Sequence, residues 1–581
     1  MLRFLRDSRI RRHLAPEKRR VRFALLAMTG RGVLGLGVPF FFGRTIGLVG
    51  SGAAAREVWT SVVAMIVVAL LTAVCQFWMR WLYISASRGF EMRLRNEVFS
   101  HLTTLGFSFF NRSRTGDLMS RMTADVEAVR MGVGPGVMHL YQTTIMAVGA
   151  LGIMFAVSWS LTLFALVPLG LIFLNIKATM PPMHDASARV QEQLAAVSSL
   201  AQESFSGARV VKAFAREEYE ISRFRKEAAR YVDDAMRMTM IRGRMHAVTE
   251  LMAGLVVVAL LYFGGRQVMD GRLALGSFVS FFGYFMMLVW PMIAIGWTLA
   301  LFERAEAALI RLRAVLSTEP EVASGDVAQA EIHGAWSVRA LTFRHEDAER
   351  DALRDVDLEI PAGSSVAIVG PTGAGKSTLV TLLARLFEPP AGTIFLDGRD
   401  VRDLDLDLLR RSLAVVPQEN FLFSDTLRAN IAYARPEASE EEIRAAAEAA
   451  QILESIEGFS RGLDEIVGER GVTLSGGQKQ RVSIARALLH RAPTLVLDDC
   501  LSAVDTRTEE TILENLEREM TGRTTIFVAH RLSSVMHCDR IVVLQEGRIT
   551  EAGRHDELVA ADGWYAETYR RQKISEELEA A

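Results

Sequence analysis

The sequence predicts an α-helical membrane domain of about six transmembrane helices with long cytoplasmic extensions, fused to an α/β domain built around a phosphate-binding loop. Three observations carry that prediction. No Asp, Glu, Lys or Arg occurs between Arg130 and Lys177, enough for two spanning helices of about 20 residues each. A glycine-rich run, Gly370 to Thr378, follows an apolar strand-like segment and fits the spacing of a nucleotide phosphate loop. The formal charge of −2 also conceals two different halves. Residues 1–330 carry 37 Lys+Arg against 24 Asp+Glu, an excess of 13 positive charges, and the remainder carries an excess of 15 negative ones.

Spans are expected at about 22–48, 58–86, 133–157, 160–180, 247–266 and 275–302, within a membrane domain over 21–315 that follows a basic segment, 1–20. Residues 58–79 and 273–302 are charge-free, and Ser158-Trp159-Ser160 is the expected turn between the third and fourth spans. The first span holds Arg31 and Arg44, and the fifth is short unless it extends to Glu250 and His246. Such long charge-free stretches exclude a purely soluble enzyme. Nine basic residues lie in 1–22 and many more in 87–135 and 181–246, while the alternate loops hold only Arg56, Arg266 and Arg272. Because Lys and Arg stay on the cytoplasmic side, both termini are expected there, in a multi-pass protein of the cell's inner (plasma) membrane. The basic start is not expected to be a signal peptide, since its apolar segment is long and leads into further spans.

The segments 87–135 and 181–246 are too long for ordinary loops and read as helices running past the bilayer. Pro168 and Pro291 fall inside spans, where a kink is tolerated if neighbouring helices satisfy the freed carbonyls. Arg31 and Glu250 are candidates for a polar path, because a charge facing lipid is costly; snorkelling to the boundary is the alternative. Phe77, Trp78, Tyr141, Phe281, Phe282, Tyr284 and Met286 are compatible with an amphiphile cavity, although helix packing or lipid contact is the commoner role of such residues. Cys75, Cys500 and Cys538 lie far apart, with neither a disulfide framework nor metal-ligand spacing.

A linker over 316–330 leads to the second domain, 331–570, which precedes a tail of 571–581. Alternation from Ala335 to Phe343 reads as a strand, and Ser365 to Val369 as a buried one. Gly370-Pro371-Thr372-Gly373-Ala374-Gly375-Lys376-Ser377-Thr378 then satisfies the phosphate-loop pattern in the strand-then-helix context that the pattern requires. Its glycines let backbone N–H groups turn toward phosphates at a helix N-terminus, Lys376 reaches the β- and γ-phosphates, and Ser377 can ligate Mg²⁺. The strand Thr494 to Leu497 ends in Asp498-Asp499, and Asp498 is the candidate Mg²⁺-binding carboxylate. Leu474-Ser475-Gly476-Gly477-Gln478 reads as a second anion-binding helix start. With one phosphate loop already on the chain, this second element suits a neighbour's nucleotide.

These motifs together resemble the signature set of ATP-binding cassette (ABC) proteins, and six spans fused ahead of one cassette resemble a half-transporter of the exporter type. The resemblance extends to Phe109-Phe110-Asn111-Arg112, to Gly207-Ala208-Arg209-Val210-Val211-Lys212-Ala213-Phe214, and to Val467-Gly468-Glu469-Arg470-Gly471 before the signature. It implies that Gln418 senses Mg²⁺ and the attacking water and that His530 is the switch histidine at the γ-phosphate. It also implies that Ser502, Ala503 and Asp505 belong to the loop that crosses to the opposite nucleotide site.

Two positions depart from the family pattern. His345, beside Arg344, stands where an adenine-stacking aromatic is usual, so contact with adenine is expected to be weaker. Asp499 stands where active cassettes usually have Glu, and its shorter side chain reaches a hydrolytic water poorly. The resemblance implies cassettes that sandwich two ATP between one phosphate loop and the opposite signature. The expected partner is thus a second, homologous half-transporter chain, favouring a heterodimer in which this chain's own site is degenerate. The implied activity is ATP-driven export of a small amphiphilic molecule, lipid or peptide, with ATP and Mg²⁺ as cofactors, membrane lipid around the spans and no nucleic acid. The alternative is an ATP-sensing membrane regulator or channel subunit with little turnover.

Overall fold

The computed structural model describes Phe4 and residues 7–346, 348–468, 471, 473–500 and 506–580. The chain divides into two compact units, Met1–Leu102 with Gly116–Ser317, and Thr103–Thr115 with Thr318–Ala581.

Among the described residues of the first unit, six helices are long and apolar enough to cross a membrane. Their principal segments are α1 (Lys18–Gly50), α2 (Ala55–Thr104), α3 (Val137–Val157), α4 (Trp159–Ser206), α5 (Glu217–Met269) and α6 (Leu275–Leu316). With 50, 48 and 53 residues, α2, α4 and α5 are each about 70–80 Å long, more than twice the hydrocarbon thickness. The mixed Leu, Ala, Glu and Arg segments therefore carry the spans on as helix, interrupted at residues 105–106, 113–114, 207 and 214–216. The break between α3 and α4 is Ser158 alone, since the helix resumes at Trp159; Ser158 adopts an extended conformation and its hydroxyl accepts from the Leu161 amide. Pro39, Pro168 and Pro291 lie inside α1, α4 and α6. Two π-helical stretches, Arg121–Asp125 and Gly132–Gly136, precede α3, and the second contains Pro135, whose missing N–H suits a widened turn.

α5 runs along α4, and α6 packs on α1 and α3. The α1–α6 contact is close because a Cβ on Gly43 would lie 2.2 Å from the Gly276 carbonyl, and small residues let backbones approach where hydrophobic force between helices is weak. Phe281, Tyr284, Phe285 and Leu288 of α6 form a core with Ala150, Met154 and Leu260, and the Tyr284 hydroxyl donates to the Leu36 carbonyl at 2.7 Å. Nearer the charged ends, Arg311 makes two hydrogen bonds to the buried carboxylate of Asp125. Arg130, also buried, bonds Glu127 and holds that carboxyl below the usual range. The short helix Ala208–Ala213 leaves Val210 and Phe214 exposed.

The second unit contains a four-stranded antiparallel sheet in the order β2-β1-β4-β5 and a six-stranded sheet in the order β10-β9-β3-β8-β7-β6. The strands are β1 (Trp336–Phe343), β2 (Leu353–Ile360), β3 (Ser365–Val369), β4 (Ile394–Leu396), β5 (Arg399–Asp400), β6 (Leu413–Val416), β7 (Thr494–Asp498), β8 (Thr524–Val528), β9 (Arg540–Gln545) and β10 (Arg548–Gly553). β9, β3, β8, β7 and β6 are parallel, and β10 closes one edge antiparallel. β3, β7 and β8 are buried along their whole length, which explains their unbroken apolar runs. Trp336 Nε1 donates to Thr494 Oγ1 at 3.1 Å, tying the two sheets together.

Candidate nucleotide site

Parallel strands place their following loops along one edge of the sheet, and the loops after β3, β6, β7 and β8, which carry Gly370 to Thr378, Gln418, Asp499 and His530, leave from that edge. β3 leads into Gly370, whose φ of 151° and neighbour Leu544 exclude any other residue, since a Cβ there would lie 2.0 Å from the Leu544 carbonyl. Gly375, at φ 103°, caps the helix α7 (Lys376–Leu383). Lys376 is 5% exposed, and its ammonium donates to the carbonyls of Gly370 at 2.8 Å and Pro371 at 3.0 Å, across the loop. Burial pulls its pKa down, opposed by Asp498 and Asp499.

One strand, β8, intervenes between β3 and β7. Asp498 at the end of β7 nevertheless hydrogen-bonds Ser377 on α7, and burial pushes its carboxyl pKa up while Ser377 and Lys376 oppose the rise. Ser377 and Asp498 thus set two hard oxygen donors side by side, which fits Mg²⁺, an ion that takes one or two carboxylates and keeps several waters. Asp499 lies just past the strand at φ 48°. Its amide donates to the Val528 carbonyl at 2.8 Å, prolonging the β7–β8 ladder, and its carbonyl accepts from Gln480 at 3.2 Å. His530 follows β8 by two residues and lies within electrostatic reach of Asp498. Gln418 follows β6, beside β7, and is exposed.

The second anion-binding element heads the helix α8 (Gly476–His490). Ser475 is its N-cap, accepting from the Gln478 amide at 3.3 Å while the Gln478 side chain accepts from the Ser475 amide at 2.9 Å. This reciprocal capping holds the Gly476-Gly477 turn open to solvent, with Leu474 buried beneath it. Ser502, Ala503 and Asp505, together with Glu469 and Arg470, lie outside the described residues.

His345 does not project as a free stacking platform. Its ring stands edge-on to Phe343 and Phe387, at 5.1 and 5.0 Å between centroids, and its Nε2 lies 3.3 Å from Thr378 Oγ1. Arg344 is turned away by Asp351, to which it donates at 2.7 Å. A cavity of about 410 Å³ opens beside His345, with Phe387, Glu346 and Arg112 on its walls. Motif spacing missed Phe387 and Gln480. Gln480 leaves a trace in the sequence, a polar residue four before Ile484 on the buried stripe of α8, where only a hydrogen-bonded side chain is stable; Phe387 leaves none.

Two family models match the chain, the ABC transporter transmembrane region over residues 21–292 and the ABC transporter domain over residues 353–502. The multidrug resistance-like ATP-binding protein MdlA of Escherichia coli is 37% identical over 544 residues, covering 93% of this chain and 92% of that protein. The chain belongs to the ABC exporter family. An ATP-dependent lipid A-core flippase of Desulfotalea psychrophila is 35% identical over 478 residues, covering 82% of this exporter and 84% of the flippase. A bacterial Atm1-family ABC exporter solved with ATP bound superimposes with a TM-score of 0.79 at 29% identity, covering 96% of this exporter and 98% of that chain. The exporter is accordingly a multi-pass membrane protein whose ATPase domain drives transport.

Proposed function

We propose that this exporter moves a small amphiphilic molecule, lipid or peptide out across the inner membrane by alternating access, as one half of a heterodimer whose own nucleotide site turns over slowly. The observation that carries the slow site is Asp499. Its backbone is pinned by Val528 and Gln480, so the chain cannot advance to compensate for a side chain one methylene short of Glu. A misplacement of about 1 Å can cost on the order of a hundredfold in rate. Export of a lipid or drug-like amphiphile is supported by relatives named as multidrug resistance-like and lipid A-core flippase proteins.

In this reading ATP lies on the backbone amides of Gly370 to Thr378, with Lys376 at the β- and γ-phosphates, and His530 and Gln418 orient the γ-phosphate and the water. Ser377 and Asp498 hold Mg²⁺, which when bound neutralises phosphate charge. Ser475 and Gly477 complete the partner's site, where a Glu supplies the faster hydrolysis. Closure on ATP is transmitted through the cytoplasmic helix extensions to the spans, and the ATPase domain faces the cytoplasm.

The test uses inside-out vesicles containing this chain and a homologous chain with Glu at the position of Asp499. ATP-dependent accumulation of an amphiphile, abolished by substituting the partner's Glu, is the expected result. Nucleotide binding without accumulation or hydrolysis would instead identify an ATP-sensing regulator. Asp499→Glu is expected to raise turnover at this chain's own site by roughly tenfold to a hundredfold, and unchanged turnover would overturn the geometric account.

A further inference from the structure

We infer that the membrane unit carries an anion-selective headgroup site, in which Arg31 of α1, Arg80 of α2 and His139 of α3 receive the phosphate or carboxylate of an anionic amphiphile. This rests on the export reading and names the substrate class for it.

The argument begins with charge that nothing in the chain balances. Arg31, Arg80 and His139 come from three helices, and Gln76, which Arg31 bonds at 3.2 Å, stands one turn before Arg80 on α2, while Gln142 stands one turn after His139 on α3. Among the described residues no carboxylate pairs with Arg31 or Arg80, and Arg80 makes no hydrogen bond. The surrounding sequence offers no carboxylate either, since residues 18–50, 58–90, 137–157 and 275–302 contain neither Asp nor Glu. Arg88, two turns beyond Arg80 on α2, differs because Glu91 at 2.7 Å and Glu127 at 3.6 Å neutralise it. Unbalanced charge at membrane depth is costly and faces a protein interior or a polar cavity.

Arg31 does not snorkel. Its Nε donates to Gln76 at 3.2 Å, and the Gln142 amide lies against the guanidinium, where exchanging its oxygen and nitrogen gives it a bond of 2.7 Å from a second nitrogen. Neutral amides from α2 and α3 thereby aim the cation inward without cancelling its charge. His139 is steadied by Trp297, edge-on at 5.0 Å. An open groove of about 820 Å³ runs along α2, and on its wall Gln76 and Arg80 alternate with Phe77 and Trp81. Those two rings stack at 6.4 Å, giving an apolar wall for a chain or ring system next to the cationic wall.

Depth agrees with this chemistry. Taking span ends at residues 22, 86 and 133, Arg31 lies nine residues inside its cytoplasmic boundary and Arg80 and His139 six each, or about 9–14 Å at 1.5 Å per residue. The cations therefore form one level in the cytoplasmic half of the membrane, where a headgroup drawn from that leaflet would arrive.

The test measures binding to the full-length chain in nanodiscs of zwitterionic lipid, with empty nanodiscs subtracted. The probes share one alkyl chain: dodecyl phosphate, dodecylphosphocholine and dodecyltrimethylammonium, with inorganic phosphate as the free-anion control. Dodecyl phosphate is expected to bind about tenfold or more tightly than dodecyltrimethylammonium, Arg31→Gln and Arg80→Gln to abolish that preference, and Arg80→Lys to retain much of it. Arg266→Gln, outside the site, keeps the preference. Equal affinities for the three amphiphiles, or an unchanged preference in Arg80→Gln, would overturn the inference. So would displacement of dodecyl phosphate by inorganic phosphate at equal concentration, which would mark a free-anion site. In vesicles with the partner chain, uptake of dodecyltrimethylammonium as fast as dodecyl phosphate overturns the inference and leaves export standing. An anion preference in nanodiscs with no uptake of any amphiphile supports the site and overturns the export reading.

Discussion

Gln480, buried in α8, donates its side-chain N–H to the main-chain carbonyl of Asp499 at 3.2 Å. The helix that begins with Ser475 is thereby joined to the carboxylate that departs from the family pattern. In the proposed dimer, Ser475 faces the partner's nucleotide and Asp499 this chain's own, so one hydrogen bond links the two sites. Gln480→Leu removes the donor and leaves a buried carbonyl unsatisfied. The expected cost is about 1–3 kcal/mol, read as a lower unfolding temperature of the detergent-purified chain, with reduced ATPase activity in the paired complex. Unaltered unfolding would show that the carbonyl finds another donor.

Asp499 also carries a backbone constraint. At φ 48° it occupies the left-handed region, which Asp and Asn tolerate and β-branched residues do not. Asp499→Asn is expected to leave stability and ATP binding close to those of the natural chain while ending hydrolysis at its own site. Asp499→Val loses the same carboxylate and a further 1–2 kcal/mol or so of stability. Equilibrium unfolding of the two variants separates backbone from chemistry, and equal stabilities would overturn the strain argument.

Asp498 predicts a pH dependence whose sign follows from burial. Its pKa is raised above the ordinary 3.8, so folding favours the protonated form. That contribution to stability is present below 3.8 and is lost as pH rises through the raised folded value. Mg²⁺ needs the carboxylate, so stabilisation by Mg·ATP runs the opposite way and weakens as pH falls. The gain in unfolding temperature on adding Mg·ATP should shrink as pH falls from neutrality toward the ordinary carboxylate range, more steeply in the natural chain than in Asp498→Asn. Titration of the nucleotide's own phosphate is common to both proteins, so the difference isolates Asp498.

The parts of this molecule legible in its sequence are those whose physics is local. Lys376 and Ser377 follow their glycines within one turn, and Asp498 ends a strand too apolar to lie anywhere but inside a parallel sheet. Charge-free runs mark the spans for the same reason, since lipid acts on each residue separately. Relations between distant residues were not legible. Arg31 reads as a lone charge until Gln76 and Gln142 are seen beside it, and nothing near His345 in sequence announces that its ring packs edge-on against Phe387, 42 positions away. The segment Thr103–Thr115 looks continuous with the second span yet belongs to the second unit, because Phe107 meets Phe387 edge-on at 5.7 Å.

The pair of Asp125 and Arg311 yields a prediction about the cytoplasmic helices. Asp125 closes a π-helical stretch and is 6% exposed, and Arg311 on α6 grips both of its oxygens, at 2.9 and 2.5 Å. The Arg311 side chain is 52% exposed, so solvent screens part of the attraction, and the pair should contribute less than a fully buried one. Asp125→Ala strands no charge, because Arg311 can turn to water, and is expected to cost about 1–2 kcal/mol. Arg311→Ala leaves a carboxylate buried at the end of a π-helical stretch and is expected to cost more, about 3 kcal/mol. The double variant should lie near the cheaper single one, a coupling of about 3 kcal/mol in a double-mutant cycle read by equilibrium unfolding. Additive costs would mean that the two residues act separately. The opposite order of the singles would mean that the guanidinium, not the carboxylate, is the group dependent on its partner.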